Sequence, residues 1–226
     1  MAEPTARYSN RCGDLVVVSR RVAPTRPAHG NQARAERTRA LAIDVTARIV
    51  LEEGFAAATG RHIAEEAGVT WGVIQYHFGH RDGLLMAVVD RGFGELLHAL
   101  ESLPAATPET TTRDRVETVV TAAWEAMSSP TARAAGEILI GTRATRGAEA
   151  AGHLRQLAKR FATLGRVVAI DLDPSQSAAI GEHMLTTLRG MTATQLIMPK
   201  AVDTTNDRRV LVDLLSGYIE TTKCEQ

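Results

Sequence analysis

The sequence predicts an all-α protein: an N-terminal three-helix unit holding a helix-turn-helix, then a larger helical domain. Three observations predict it. Apolar residues recur at three- and four-residue spacing through most of the chain after about residue 34, and no strand-like alternation is sustained. Capping residues punctuate these runs, at Thr59, Thr70, Ser129-Pro130 and Asp173-Pro174-Ser175. Aromatic content is 4%, so the core has to be built from Ala, Leu, Val and Ile, as in helical proteins.

Residues 1–33 come first. Pro4, Gly13, Pro24, Pro27 and Gly30 interrupt any periodicity, and Arg7, Arg11, Arg20, Arg21 and Arg26 outweigh Glu3 and Asp14. This reads as a flexible basic arm, either a follower of a DNA minor groove or a solvated extension. From about Arg34 to Glu53 a helix carries Ile43, Ala47, Val50 and Leu51 on one face. Gly54 closes it and Phe55 folds back as an anchor. Thr59 caps the next helix, whose buried side is Ile63, Ala64 and Ala67. Gly68 stands where a helix end needs positive φ, and Val69 plugs the corner. Thr70 caps a short helix with Ile74 and Phe78 inward. That leaves Trp71, Val73, Gln75, Tyr76 and His77 outward, a set too bulky for an ordinary solvent face. An αα-corner with surface aromatics would share the pattern, but a helix-turn-helix, whose second helix lies in the DNA major groove, accounts for those side chains.

A long helix is expected from Arg81 or Asp82 to about Leu103-Pro104, followed by a Pro/Thr loop to Thr112. Further helices are expected over about 113–128, from Pro130 to about Ala144, from about Ala148 to Ile170 or Leu172, to about Met198, and from Thr205 to Lys223. The organisation reads as an arm (1–33), a DNA-binding domain (34–80) and a helical effector-binding and dimerisation domain (81–226).

Length and charge bound the function. A chain of 226 residues with 44% hydrophobic and 23% charged residues is globular in composition. A net charge of zero argues against a generic nucleic-acid coat, not against a specific binder with local basic groups. No apolar run reaches the roughly 18–20 residues of a membrane span, and Leu15–Val18 is too short for a signal-peptide core, so a cytoplasmic protein away from membranes is expected. Cys12 and Cys224 form neither a disulfide framework nor a zinc site. His62, His77 and His80 lack a completing cysteine or carboxylate. No phosphate loop or nucleophile motif is present, so no metal, cofactor or catalytic residue is expected.

The stretch from about Arg34 to Val89 resembles the TetR family of bacterial transcriptional regulators. The resemblance is carried by Glu53-Gly54-Phe55, Ala58-Thr59, Ile63 to Thr70, Gln75-Tyr76-His77-Phe78 and Arg81-Asp82-Gly83-Leu84-Leu85. Gly60 departs from it, standing where the family usually has an aliphatic residue. The residues and the resemblance together mark Thr59, Arg61, Thr70, Trp71, Gly72, Val73, Gln75, Tyr76, His77 and Arg81 as DNA contacts. Gln75 suits the N6/N7 edge of adenine, Val73 a thymine methyl, and Arg61 and Arg81 phosphates. Tyr76 and Trp71 would equally pack on the first helix.

Ile180, Gly181, Met184, Leu188 and Met191, with Val210, Leu211, Leu214, Leu215 and Tyr218, form two apolar faces wider than one small subunit buries. They read as a homodimer interface, or else as internal helices of a monomer. The resemblance implies a small-molecule pocket among the intervening helices, with Trp124, Met127, Phe161, His183, Met184 and Thr187 as candidate lining. The function expected is a homodimeric regulator, a repressor released from a palindromic double-stranded operator by a small hydrophobic effector. A regulator of the same fold without an effector, and an all-α enzyme or carrier, remain alternatives.

Overall fold

A computed structural model describes residues 28–103, 110–198, 200 and 202–225. The Leu15–Val18 run, Cys12, all but the end of the expected arm and most of the Pro/Thr loop lie outside the described residues. The chain divides into two units, residues 1–37 and 38–226. In the first, the described part is the opening of helix α1 (Ala28–Glu53), where Arg37 Nε donates to the Ala33 carbonyl at 3.2 Å. All that follows concerns the second.

There α1 continues with Ala42, Ile43, Ile49 and Val50 buried. Gly54 ends it at φ 89°, and a single 3-10 turn spans Phe55–Ala57. Helices α2 (Gly60–Glu66) and α3 (Trp71–Phe78) form the corner, and α4 (Arg81–Glu101) leaves it. A capping box starts α5 (Thr112–Met127): Thr111 accepts from the Asp114 N–H while Asp114 accepts from the Thr111 N–H. Ser129 and Asp173, each followed by proline, cap α6 (Pro130–Val168) and α7 (Pro174–Ile197), and α8 (Thr205–Cys224) closes the chain. Among the described residues there is no strand, and no helix is long and apolar enough to cross a membrane.

Two expectations are corrected. The two helices expected over 130–144 and 148–172 are one, α6, running 39 residues. Gly147 lies at its middle, but a lone glycine costs a helix only about 1 kcal/mol, and no proline follows it. The long α6 also changes what α7 faces. Ile180, Gly181, Met184, Leu188 and Met191, expected on a dimer face, are buried within the chain. The reason is a close approach of backbones: a Cβ on Gly165 would overlap the Ser177 carbonyl, and one on Gly181 the Phe161 carbonyl. The two helices touch without a layer of side chains between them. α4 meets α6 in the same way at Gly92, where an added Cβ would lie 2.7 Å from the Thr131 oxygen.

This packing yields a stability prediction. Gly165→Ala adds one methyl where none fits, so it is expected to destabilise by about 1–3 kcal/mol, measured by chemical denaturation. Gly190→Ala, which meets nothing within 4 Å, should be neutral or stabilising.

Candidate nucleic-acid interface

The corner is built from its caps. Thr59 is extended (φ −79°, ψ 153°) and its hydroxyl accepts from the His62 N–H at 3.3 Å. Thr70 repeats the geometry, accepting from the Val73 N–H at 3.4 Å. Each hydroxyl still has its own proton to donate, and both residues are exposed. Gly68 takes φ 63°, after which the Val69 N–H returns to the Ala64 carbonyl at 3.1 Å. Ile74 is the buried anchor of α3, and the Arg39 guanidinium stacks over the Phe78 ring at 4.9 Å.

The opposite side of α3 is open. Tyr76 is 84% exposed, Val73 37%, and Gln75 and Gly72 are exposed as well. A Cβ on Gly72 would meet only the Thr70 hydroxyl, at 3.8 Å, so the protein's own packing does not require glycine there. His77 is half-buried, with Tyr76 edge-on at 5.1 Å between ring centroids. Trp71 is also half-buried, and its position explains Gly60: a Cβ there would stand 2.8 Å from the indole. The ring fills the space an aliphatic residue at position 60 would take. Arg61 is exposed and pairs with Glu65 one turn on, at 2.8 Å.

Arg81, expected as a phosphate contact, is engaged inside the protein. Its Nε donates to the Ala58 carbonyl at 2.6 Å and its Nη2 to the Phe55 carbonyl at 3.1 Å, with the guanidinium stacked on the Phe55 ring. The Phe55 N–H in turn donates to Glu137 of α6 at 2.8 Å, and a Cβ on Gly141 would lie 2.8 Å from the Phe55 ring. Phe55 is thus a wedge between the corner and α6. Surface ion pairs brace the same unit: Arg48 bonds Glu66 at 2.5 Å and Glu52 at 3.3 Å, and His62 bonds Glu53 at 3.0 Å. The hydrogen bond to Glu53 holds the His62 imidazolium above its ordinary pKa, and that from Arg48 holds the Glu66 carboxyl below its own.

Farther along the chain, α4, α5, α6 and α7 line an apolar cavity of about 360 Å³ that is open to solvent on one side. Met127, one of the candidate pocket residues, borders it, with Phe93, Leu96, Leu139 and Leu157. Sequence reasoning named only Met127 of this lining and missed the rest, including the two charged residues, Arg143 and Arg189. Trp124, Phe161 and Met184 are buried away from this cavity, and His183 and Thr187 belong instead to a groove between α7 and α8. That groove, about 860 Å³, is also lined by Ala179, Val210, Leu214 and Tyr218. The last three are 42%, 66% and 54% exposed, four residues apart on one stripe. Leu211 and Leu215, expected with them, are buried within the chain. Among the described residues no three His, Cys, Asp or Glu side chains gather to hold a metal.

A buried-cored three-helix unit with an open, polar-aromatic second corner helix defines a helix-turn-helix protein. Residues 42–88 match the family described as bacterial regulatory proteins, tetR family. Over 113 residues the chain is 34% identical to the HTH-type transcriptional regulator SrpR of Pseudomonas putida, spanning half of each protein. It is equally similar to the uncharacterised HTH-type transcriptional regulator TtgW, also of Pseudomonas putida, over 50% of this chain and 80% of that protein. Among solved structures, a bacterial regulatory protein in the tetR family from Rhodococcus RHA1 superposes with TM-score 0.58 at 22% identity, over 82% of this chain and 96% of that one. The chain belongs to the tetR family of bacterial regulatory proteins.

Two predictions concern the unit's bracing. Arg81→Ala strands two carbonyls and is expected to cost about 1–3 kcal/mol in thermal or chemical denaturation. The His62–Glu53 contribution has a definite sign. A raised histidine pKa stabilises fully below the unfolded value and is lost as pH rises through the folded one. Wild type should therefore melt above His62→Gln near pH 6, and the gap should close toward pH 8 in a melting series.

Proposed function

We propose that the chain is a homodimeric transcriptional repressor that reads a palindromic DNA operator with α3 and releases it when a small ligand fills the α4–α7 cavity. The observation that carries this is the open face of α3, where Gln75, Val73 and Tyr76 project from a helix anchored by buried Ile74 and half-buried Trp71 and Phe78. Gln75 offers an amide that donates and accepts together, the match for adenine N6 and N7, with Val73 against a thymine methyl. Tyr76, His77, Arg61 and the Thr59 and Thr70 hydroxyls position the unit on phosphates and sugars. Gly72, free of any intramolecular need, lets the α3 backbone approach the duplex. Trp71 supports α3 through its packing over Gly60 and presents its edge to the backbone.

The dimer forms through the α7–α8 groove, with Val210, Leu214 and Tyr218 as its exposed stripe and Ala179, His183 and Thr187 beside them. A second copy covers this stripe and sets two α3 helices about one duplex turn apart. Residues 34–80 act as the DNA-binding domain and 81–226 as the effector-binding and dimerisation domain of a cytoplasmic protein. Coupling between them runs through α6. Gly136, Leu139, Ile140 and Arg143 line the cavity, while Glu137 and Gly141, on the same two turns, hold the Phe55 wedge. A ligand that moves these turns changes how the corner is seated, at a coupling of about 1–3 kcal/mol.

Selection of bound sequences from random DNA is expected to recover a palindrome occupied by two chains. A monomer that binds one asymmetric site, or binding indifferent to sequence at moderate salt, overturns the reading. On the recovered operator Gln75→Ala should lose about 1–3 kcal/mol and relax preference at one base position, read by gel shift. Gly72→Ala separates fold from contact. It should raise stability by about 0.5–1 kcal/mol and weaken operator binding nonetheless.

A further inference from the structure

We propose that the effector is an amphipathic carboxylate, its head group held by Arg189 and its tail lying in the apolar interior of the α4–α7 cavity. This rests on the reading of that cavity as the effector site and names the chemical class it takes.

The cavity wall is apolar except at Arg143, Arg189 and Thr192, and no acidic residue lines it. Thr192 spends its hydroxyl proton on the Leu188 carbonyl of its own helix, at 3.0 Å. Arg143 is exposed and donates to the Ile140 carbonyl, also on its own helix. Arg189 differs from both. It is half-buried, its Nη2 reaches only the Leu154 carbonyl at 3.5 Å, and its Nε is buried without a partner. Arg48, Arg61, Arg91 and Arg113 have carboxylates within ion-pair distance, whereas Arg133, Arg160 and Arg208 share with Arg189 a buried, unpartnered Nε but do not line the cavity. Among the described residues none pairs with Arg189, and burial alone lowers its pKa with no acid to offset it.

A partly desolvated guanidinium without a counter-ion, facing an apolar cavity, is costly as it stands. A ligand carboxylate supplies the missing charge and accepts two parallel N–H bonds, the strong form of this contact. The remaining wall, from Phe93, Leu96, Leu139 and Leu157, asks for hydrocarbon. The volume equals about a dozen waters, room for a chain of roughly ten carbons. Ile140 and Leu154, 55% and 41% exposed, stand on the same lining and give the tail an apolar way in. A cationic ligand of the same length would place like charges together, and a neutral one would leave Arg189 as it is.

The test is calorimetric titration of the full chain with decanoate, decanol and decyltrimethylammonium. Wild type is expected to bind decanoate at least tenfold more tightly than decanol, and the cation more weakly than either. Arg189→Gln should bring decanoate down to the level of decanol and leave decanol unchanged. Arg189→Lys should keep part of the preference, since the charge survives and the paired geometry does not. Thermal melts equal to wild type certify both variants as folded. Equal binding of decanol and decanoate by wild type, or a preference that persists in Arg189→Gln, overturns the carboxylate assignment. Gly136→Phe, placed where a Cβ meets only Leu196 at 3.6 Å, fills the cavity and should abolish binding of all three. Decanol binding that is lost in Gly136→Phe, but without a decanoate preference, removes the carboxylate and leaves the effector cavity standing. Binding that survives Gly136→Phe, or no binding of any probe to wild type, removes the cavity reading and the carboxylate with it.

Discussion

One aromatic ring ties the helix-turn-helix corner to α6. Phe55 follows the end of α1, and its backbone and ring are gripped from two sides. Arg81 takes its carbonyl and stacks on its face, while Glu137 takes its N–H and Gly141 leaves room for the ring. Each of these groups is polar or small because the junction needs backbone groups satisfied where water is partly excluded. The wedge adds a polar tie to α6 beside the apolar core that Ile63, Ala67 and Ile74 share with α1 and α4.

That junction gives α6 two duties at once. One set of its residues, around Leu139 and Arg143, faces the cavity, and the interleaved set, Glu137 and Gly141, faces the wedge. The two sets share the same turns of one helix, which is the physical basis for the proposed coupling. The recognition surface itself contributes little to the core beyond Ile74 and parts of Trp71 and Phe78. Its exposed side chains, Val73, Gln75 and Tyr76, are therefore not committed to packing.

Much of this was legible beforehand because it is local. The caps at Thr59, Thr70, Ser129 and Asp173 act within three residues of themselves, and Gly68 is written into the corner by its own φ. What escaped depends on partners far away in the chain. Gly60 looks like a flaw until Trp71 is seen lying over it. Arg81 looks like a surface cation until Ala58 and Phe55 are found in its grip. The apolar stripe of α7 was evident, but its direction was not. A stripe states only that a face is buried, and the unbroken length of α6 decided against which neighbour. Arg189 carried a faint signal, a lone cation flanked by Leu185, Leu188 and Met191, whose significance needed the cavity.

The contact between Gly165 and Gly181 bears on how such a protein diversifies. Where two backbones touch, neither helix can gain a side chain at the crossing unless the other moves, so the two glycines set their spacing there. The cavity lining can change without disturbing that crossing, at positions such as Phe93, Leu96 and Met127 on the facing helices. The helix crossings at Gly165, Gly181 and Gly92 thus act as a fixed gauge, and the side chains between them set the shape of the space.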